Sequence, residues 1–326
     1  MISDTSNWLL PPKLDGWYLC PSVKWDVKKS DFEYENELFA PILSVMCADN
    51  LAEAVELVNG TAYGLTSGLE SLDEDEINYW KQHIQAGNLY VNRPTTGAIV
   101  QRQPFGGIKQ SCFGFGMKAG DVNYLTQFVQ VQKSTSYFTK SLDISRWNNY
   151  NEFLSEEDKY DLAFAESDYK TTFKTLFEHP NEEIKLRGQH NNKHYLLPAD
   201  GVVLCVDEFT DLKSILLVEE ICKNLKCALN IYQLDNLTVS PQLQAFSKDI
   251  MPIQYNELIA LFHYDIRFRI LARQVSTTFR EAATEKAIHL YDQPVLPFGR
   301  YEFLNYLTEQ SISHNYHRYG NLMGRE

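Results

Sequence analysis

Between Gln101 and Asp121 the chain reads QRQPFGGIKQSCFGFGMKAGD, with glycines at 106, 107, 114, 116 and 120. Without a Cβ, each can take positive φ and let backbone approach backbone. The stretch therefore predicts a loop rather than a helix or a regular strand, and its successive N–H groups can converge on a carboxylate or a phosphate. A phosphate loop of the GxxxxGK[ST] type is not met, because neither Ser nor Thr follows Lys118 and no strand-to-helix frame surrounds it. A plain glycine-rich crossover is the alternative. Phe105, Phe113 and Phe115 favour a pocket instead, since aromatic walls around backbone donors suit a small molecule with an apolar body and a charged end.

The loop follows a regular alternation. APILSVMCAD (40–49) predicts a strand and NLAEAVELVNG a helix, with Leu51, Ala54, Val55, Leu57 and Val58 at helical spacing. Asn50 can cap that helix and Gly60 can end it. TAYGLTSGLES reads as a broken strand, EDEINYWKQHIQAG as a helix closing on Gly87, and NLYVN as a further strand. After YLTQFVQVQKST the texture changes to two acidic, aromatic-rich helical patterns without glycine, which places a boundary near residue 135. GVVLCVD, TDLKSILLVEEICKNLK and CALNIYQ then spell strand, helix, strand, with Thr210 or Asp211 as cap, and predict a small open parallel sheet. Its first turn carries no GxGxxG, so no dinucleotide site is assigned there. The tail, RYEFLNYLTEQSISHNYHRYGNLMGRE, reads as a helix followed by an irregular stretch. The fold class is α/β, with residues 1–134 and 135–326 as the two domains.

Acidic residues outnumber basic ones 43 to 30, for a net charge of −13, which disfavours a nucleic-acid partner. No stretch approaches the roughly 20 apolar residues of a membrane span, and the first residues lack the pattern of a secretory signal, so a cytoplasmic location is expected. The six cysteines, at 20, 47, 112, 205, 222 and 227, lack paired CxxC or Cys/His spacing. CKNLKC on a helix reads as two half-buried thiols, and no metal site is expected.

ELFAP (37–41), AYGLTSGL (62–69), GNLYVNRPTTGAIVQRQPFGG (87–107) and KAGDVNYL (118–125) resemble the C-terminal part of aldehyde dehydrogenases. Within that family they are most similar to the L-glutamate γ-semialdehyde (1-pyrroline-5-carboxylate) dehydrogenase branch. The tail YEFLNYLTEQSISHNYHRYGNL resembles that of bifunctional proline utilization A proteins, which join proline dehydrogenase to this enzyme. The resemblance implies the distal part of an aldehyde dehydrogenase catalytic domain followed by a smaller Rossmann-like α/β domain. It also implies NAD as cofactor, with Glu37 on the nicotinamide ribose and Phe39 beside the nicotinamide. Ala40 stands where the family has glycine.

On the same grounds the glycine loop is implied to hold the α-carboxylate of glutamate semialdehyde, with Ser111, Gly120 and the Asp121 N–H as donors and Phe105 along the methylene chain. Asp121 adds a second anion, for which Lys118 and Arg102 are the candidate compensating charges. TQFVQVQ is implied to be an oligomerisation strand, and residues 301–322 a lid or subunit contact.

Family chemistry needs a cysteine thiolate and a glutamate that activates water. Neither Cys20 nor Cys112 has the family's GQxC context, so no catalytic residue is assigned and the chain alone is expected to be inactive. Its partners would then be the semialdehyde, further copies of itself, an upstream dehydrogenase half or a proline dehydrogenase domain. The competing expectations are a non-catalytic subunit that keeps the anchor loop and assembly surfaces, and a scaffold built on the domain after residue 135.

Overall fold

The structure, a computed structural model, describes residues 8–9, 21–100, 102–112, 114, 116–131, 142–179, 184–186, 188–234, 243, 250–318 and 321–322. Cys20, Phe113 and Phe115 lie outside them.

In chain order the first part holds β1 (Trp8–Leu9), β2 (Ser22–Lys24), helix α1 (Phe32–Glu35), β3 (Ile42–Ser44), α2 (Leu51–Asn59), β4 (Tyr63–Gly64), β5 (Thr66–Leu69), α3 (Glu74–His83), β6 (Asn88–Val91) and β7 (Ile108–Lys109). Helix α2 starts and stops where its residues say it should. The Asn50 side chain accepts the Glu53 N–H at 3.0 Å, and the Gly60 N–H closes on Glu56. Helix α3 ends earlier than Gly87, at His83, because Ile84 leaves the helix in extended conformation to be buried with Ile77, Trp80 and Leu89.

The second part holds α4 (Glu156–Thr172), β8 (Ile184–Leu186), β9 (Gln189–Leu196), β10 (Val202–Val206), α5 (Leu212–Leu225), β11 (Leu229–Leu234), β12 (Ile250–Ile253), β13 (Arg267–Ile270), β14 (Leu290–Tyr291) and β15 (Thr308–Asn315). Of the two acidic patterns, one forms α4 behind a Ser155–Asp158 capping box, while Ser145–Tyr150 is only a 3-10 turn. β10, β11, β12, β13 and β14 form an all-parallel sheet in the order β12-β11-β10-β13-β14. Strand β10 is apolar at every position because both its faces are covered: Val202, Leu204 and Val206 face α4 and α5, and Val203 and Cys205 face the opposite core. Asp211 is the cap of α5.

At the carboxyl ends of β10 and β13, where strand order reverses, a Rossmann-like sheet receives its ligand. Here the buried Asp207 carboxylate fills that place, accepting the Arg273 N–H at 2.6 Å, the Phe209 N–H at 3.0 Å and the Thr210 hydroxyl at 3.1 Å.

The tail departs from expectation. Thr308–Asn315 is not irregular but an eight-residue strand, parallel to β6 and antiparallel to β9, in a second five-stranded sheet of order β5-β6-β15-β9-β8. Several of its polar side chains are compatible with burial because they meet partners: Gln310 donates to the Ala86 carbonyl at 3.0 Å, and Arg93 donates to Ser313. Strands from both sides of residue 135 thus share one sheet.

The segment expected to be an oligomerisation strand finds no strand partner among the described residues. Val122–Phe128 winds into a 3-10 helix, residues 129–131 join no strand, and Gln132 lies outside the described residues. Buried Asn123 ties the 3-10 helix inward by donating to Tyr195 Oη and Glu309 and accepting from Arg300, and the chain leaves the helix extended at Val129.

Candidate functional site

The glycine loop is folded onto itself. Phe105 and Ala119 exchange backbone hydrogen bonds at 3.0 and 2.8 Å, tying its two ends together. Gly87 lies beneath the tie, and a Cβ there would stand 2.1 Å from the Gly106 carbonyl oxygen and 2.5 Å from Lys118 Nζ, so only glycine fits. Gly120 sits at φ 84°, the left-handed region, against Val100.

Lys118 is fully buried under the loop, with its ammonium on the Gly106 carbonyl and its N–H donating to Glu309 Oε2 at 3.0 Å. Burial depresses its pKa to about 7 against the opposing pull of Glu309. Asp121 is compensated by neither Lys118 nor Arg102. Its partner is Lys193 of β9, which also lies 3.6 Å from Glu309, while Arg102 reaches Gln189 at 2.9 Å. Burial presses the Lys193 ammonium down, but Glu309, Tyr195 and Asp121 outweigh it and hold its pKa above the ordinary value. Two ammonium groups and two carboxylates therefore share one buried cluster, and the second anion of the loop is neutralised within the chain.

Phe105 is half-buried beside the Ala119–Gly120 turn. The Asp121 N–H is not a free donor, since it closes the turn onto the Lys118 carbonyl at 3.1 Å. Ser111 packs against Gly107, and its hydroxyl oxygen accepts the Gly64 N–H at 3.1 Å. Glu37 is exposed, and Phe39 is 91% exposed at φ 44°. Ala40 has no positive φ, so the left-handed residue of ELFAP is Phe39 and the Cβ of Ala40 costs no backbone strain. No hydrogen bond joins Glu37 or Phe39 to the glycine loop among the described residues.

Across from Cys112 and Gly114, a cleft of about 650 Å³ separates the loop from the second part of the chain, with Gln110, Arg280, Thr284 and His289 on its walls. Burial raises the Cys112 thiol pKa and lowers that of the His289 imidazole, so neither is poised as a charged group. Asp200, His263 and Asp265 bring three possible ligand atoms within 4.8 Å at the surface, a grouping that sequence spacing had not flagged. Nor had sequence reasoning found Glu309 or Lys193, which lie 191 and 72 positions from their loop partners, beyond the range of any local pattern.

The aldehyde dehydrogenase family profile matches residues 7–134. A 1-pyrroline-5-carboxylate dehydrogenase of Bacillus pumilus is 38% identical over 124 residues, 38% of this chain and 24% of that protein. Its Bacillus licheniformis counterpart is 37% identical over 123 residues, 38% of this chain and 23% of that protein. The chain thus spans about a quarter of the length of these relatives. Among solved structures, proline utilization A from Corynebacterium freiburgense superposes with a TM-score of 0.71 at 30% identity, covering 98% of this chain and 30% of that one. Residues 7–134 are therefore an aldehyde dehydrogenase family segment, within a chain whose α/β fold is similar to that of proline utilization A over almost its whole length.

Proposed function

We propose that this chain supplies one wall of the substrate site, and the nicotinamide side of the cofactor site, of a dehydrogenase that oxidises L-glutamate γ-semialdehyde to L-glutamate. The observation that carries this reading is the family match over residues 7–134, together with the 38% identity to 1-pyrroline-5-carboxylate dehydrogenase.

Glu37 and Phe39 suit NAD: an exposed carboxylate without an intrachain hydrogen bond among the described residues stands two positions from an uncovered ring. Glu37 would accept ribose hydroxyls and Phe39 would cover the nicotinamide, whose chemistry when bound is to take the hydride. The Ser111 hydroxyl retains its own proton after accepting from Gly64, so it and the Gly120 N–H would donate to the α-carboxylate of the substrate. Phe105 would line the methylene chain. Lys193 holds the Asp121 carboxylate away from that anion.

Cys112, the cysteine of the loop, has a thiol raised by burial, the reverse of an activated nucleophile. The thiolate must then come from elsewhere. Purified chain should form no NADH from glutamate semialdehyde and NAD⁺, while a fusion to a family half bearing the GQxC cysteine and a nucleotide-binding fold should turn over. Sustained turnover by the isolated chain, or none by the fusion, would overturn the reading.

A second reading is a non-catalytic assembly subunit. Val122, Leu125 and Phe128, 61%, 67% and 70% exposed along one short 3-10 helix, favour it. Stable association with that half without gain of activity would select it.

A further inference from the structure

Helix α5 ends in a turn that brings two cysteines together. Lys226, at φ 55° and ψ 35°, swings the chain into the left-handed region just past the helix. The Cys227 N–H then returns to the Cys222 carbonyl at 3.2 Å, and the Lys226 N–H to Lys223 at 3.3 Å. This paired closure places the side chain after the turn against the one three residues inside the helix end, a contact that is usually apolar. Here both positions are cysteine, and their thiols hydrogen-bond to each other. Cys222 is 3% exposed and part of the core formed by α4, α5 and β10, whereas Cys227 packs on the edge of that core and is half-buried.

We propose that Cys222 and Cys227 form a reversible disulfide site that takes a peroxide as its oxidant. The partly exposed Cys227 sulfur attacks one peroxide oxygen, breaking the O–O bond to give a Cys227 sulfenic acid and an alcohol, or water if the oxidant is hydrogen peroxide. The Cys222 sulfur then displaces that hydroxyl, the S–S bond forms, and the hydroxyl leaves with the Cys222 proton as water. Two thiols and one peroxide thus yield one disulfide, one alcohol or water, and one further water. The Cys222 thiol supplies the hydrogen bond that lowers the Cys227 pKa, while the same contact, with burial behind it, raises that of Cys222. Attacking and resolving sulfurs are thereby distinguished. The bridge would clamp the end of α5 to the start of β11.

Lys223 and Lys226 separate the two cysteines, so trypsin places them on different peptides. The full chain treated with a small excess of hydrogen peroxide, alkylated and digested without reductant, should give these peptides joined, and separated by dithiothreitol. Cys222→Ser should instead leave a Cys227 sulfenic acid that dimedone traps. The proposal is overturned if the oxidised wild-type chain yields both cysteines on separate peptides, or if dimedone labels Cys222 in Cys227→Ser faster than Cys227 in Cys222→Ser.

Discussion

Lys118 shows how far a residue's role departs from its type. In KAGD it reads as a candidate charge to compensate Asp121; in the fold it is a buried strut whose ammonium holds the Gly106 carbonyl and whose N–H holds Glu309. Its pKa falls to about 7 in the folded chain from 10.5 in the unfolded one. Between those values the unfolded chain binds a proton that the folded chain does not, so this group makes stability rise with pH across that window. Lys118→Met, of similar length, should abolish that rise, seen as denaturant midpoints that no longer climb between pH 7 and 10. An unchanged pH dependence would show that Lys118 is not the titrating group. QRQPFGGIKQSCFGFGMKAGD was enough to point to a glycine-rich loop rather than a long regular element, since glycine content and spacing are local. The charge balance of the loop was not legible, because Lys193 and Glu309 come from strands distant in sequence.

Strand β15 makes the same point for an element. TEQSISHN lacks the apolar alternation of a half-buried strand, and sequence periodicity reads it as coil. It is nevertheless buried over almost its whole length because β6 and β9 supply backbone partners on both sides, and Glu309, Gln310 and Ser313 each find a hydrogen bond. Deleting residues 308–326 would leave β6 and β9 with open edges and take the Glu309 carboxylate from Lys118, Asn123 and Lys193. Exposed sheet edges promote association, and removing one side of a buried charge cluster costs roughly 3–5 kcal/mol. The shortened chain should therefore aggregate on size-exclusion chromatography, where the full chain elutes as a defined species. A monodisperse, equally stable product would show that β15 is dispensable. Helices α2 and α5 were legible by contrast, since their caps, Asn50 and Asp211, act within four residues.

For the molecule as a whole, the all-parallel sheet and the mixed sheet meet through Arg267. From β13 its guanidinium donates to the Tyr306 carbonyl at 3.1 Å, to the Tyr264 carbonyl at 2.8 Å and to Thr308 at the start of β15. Arg267→Met removes these donors and leaves buried carbonyls unpaired, a loss of about 1–3 kcal/mol for each such group. Calorimetry should show a lower Tm, with the single transition of the parent resolving into two as the sheets uncouple. One transition at the parental temperature would mean that the sheets are coupled elsewhere. The sequence by itself determined the α/β alternation, the parallel sheet after residue 200 and the family of residues 7–134, because caps, periodicity and motif residues act over short spans. Only the tertiary structure decided that the tail is an inner strand and that Lys193 neutralises Asp121. Both depend on backbone edges and buried charges whose partners are chosen by packing, across separations that no local pattern records.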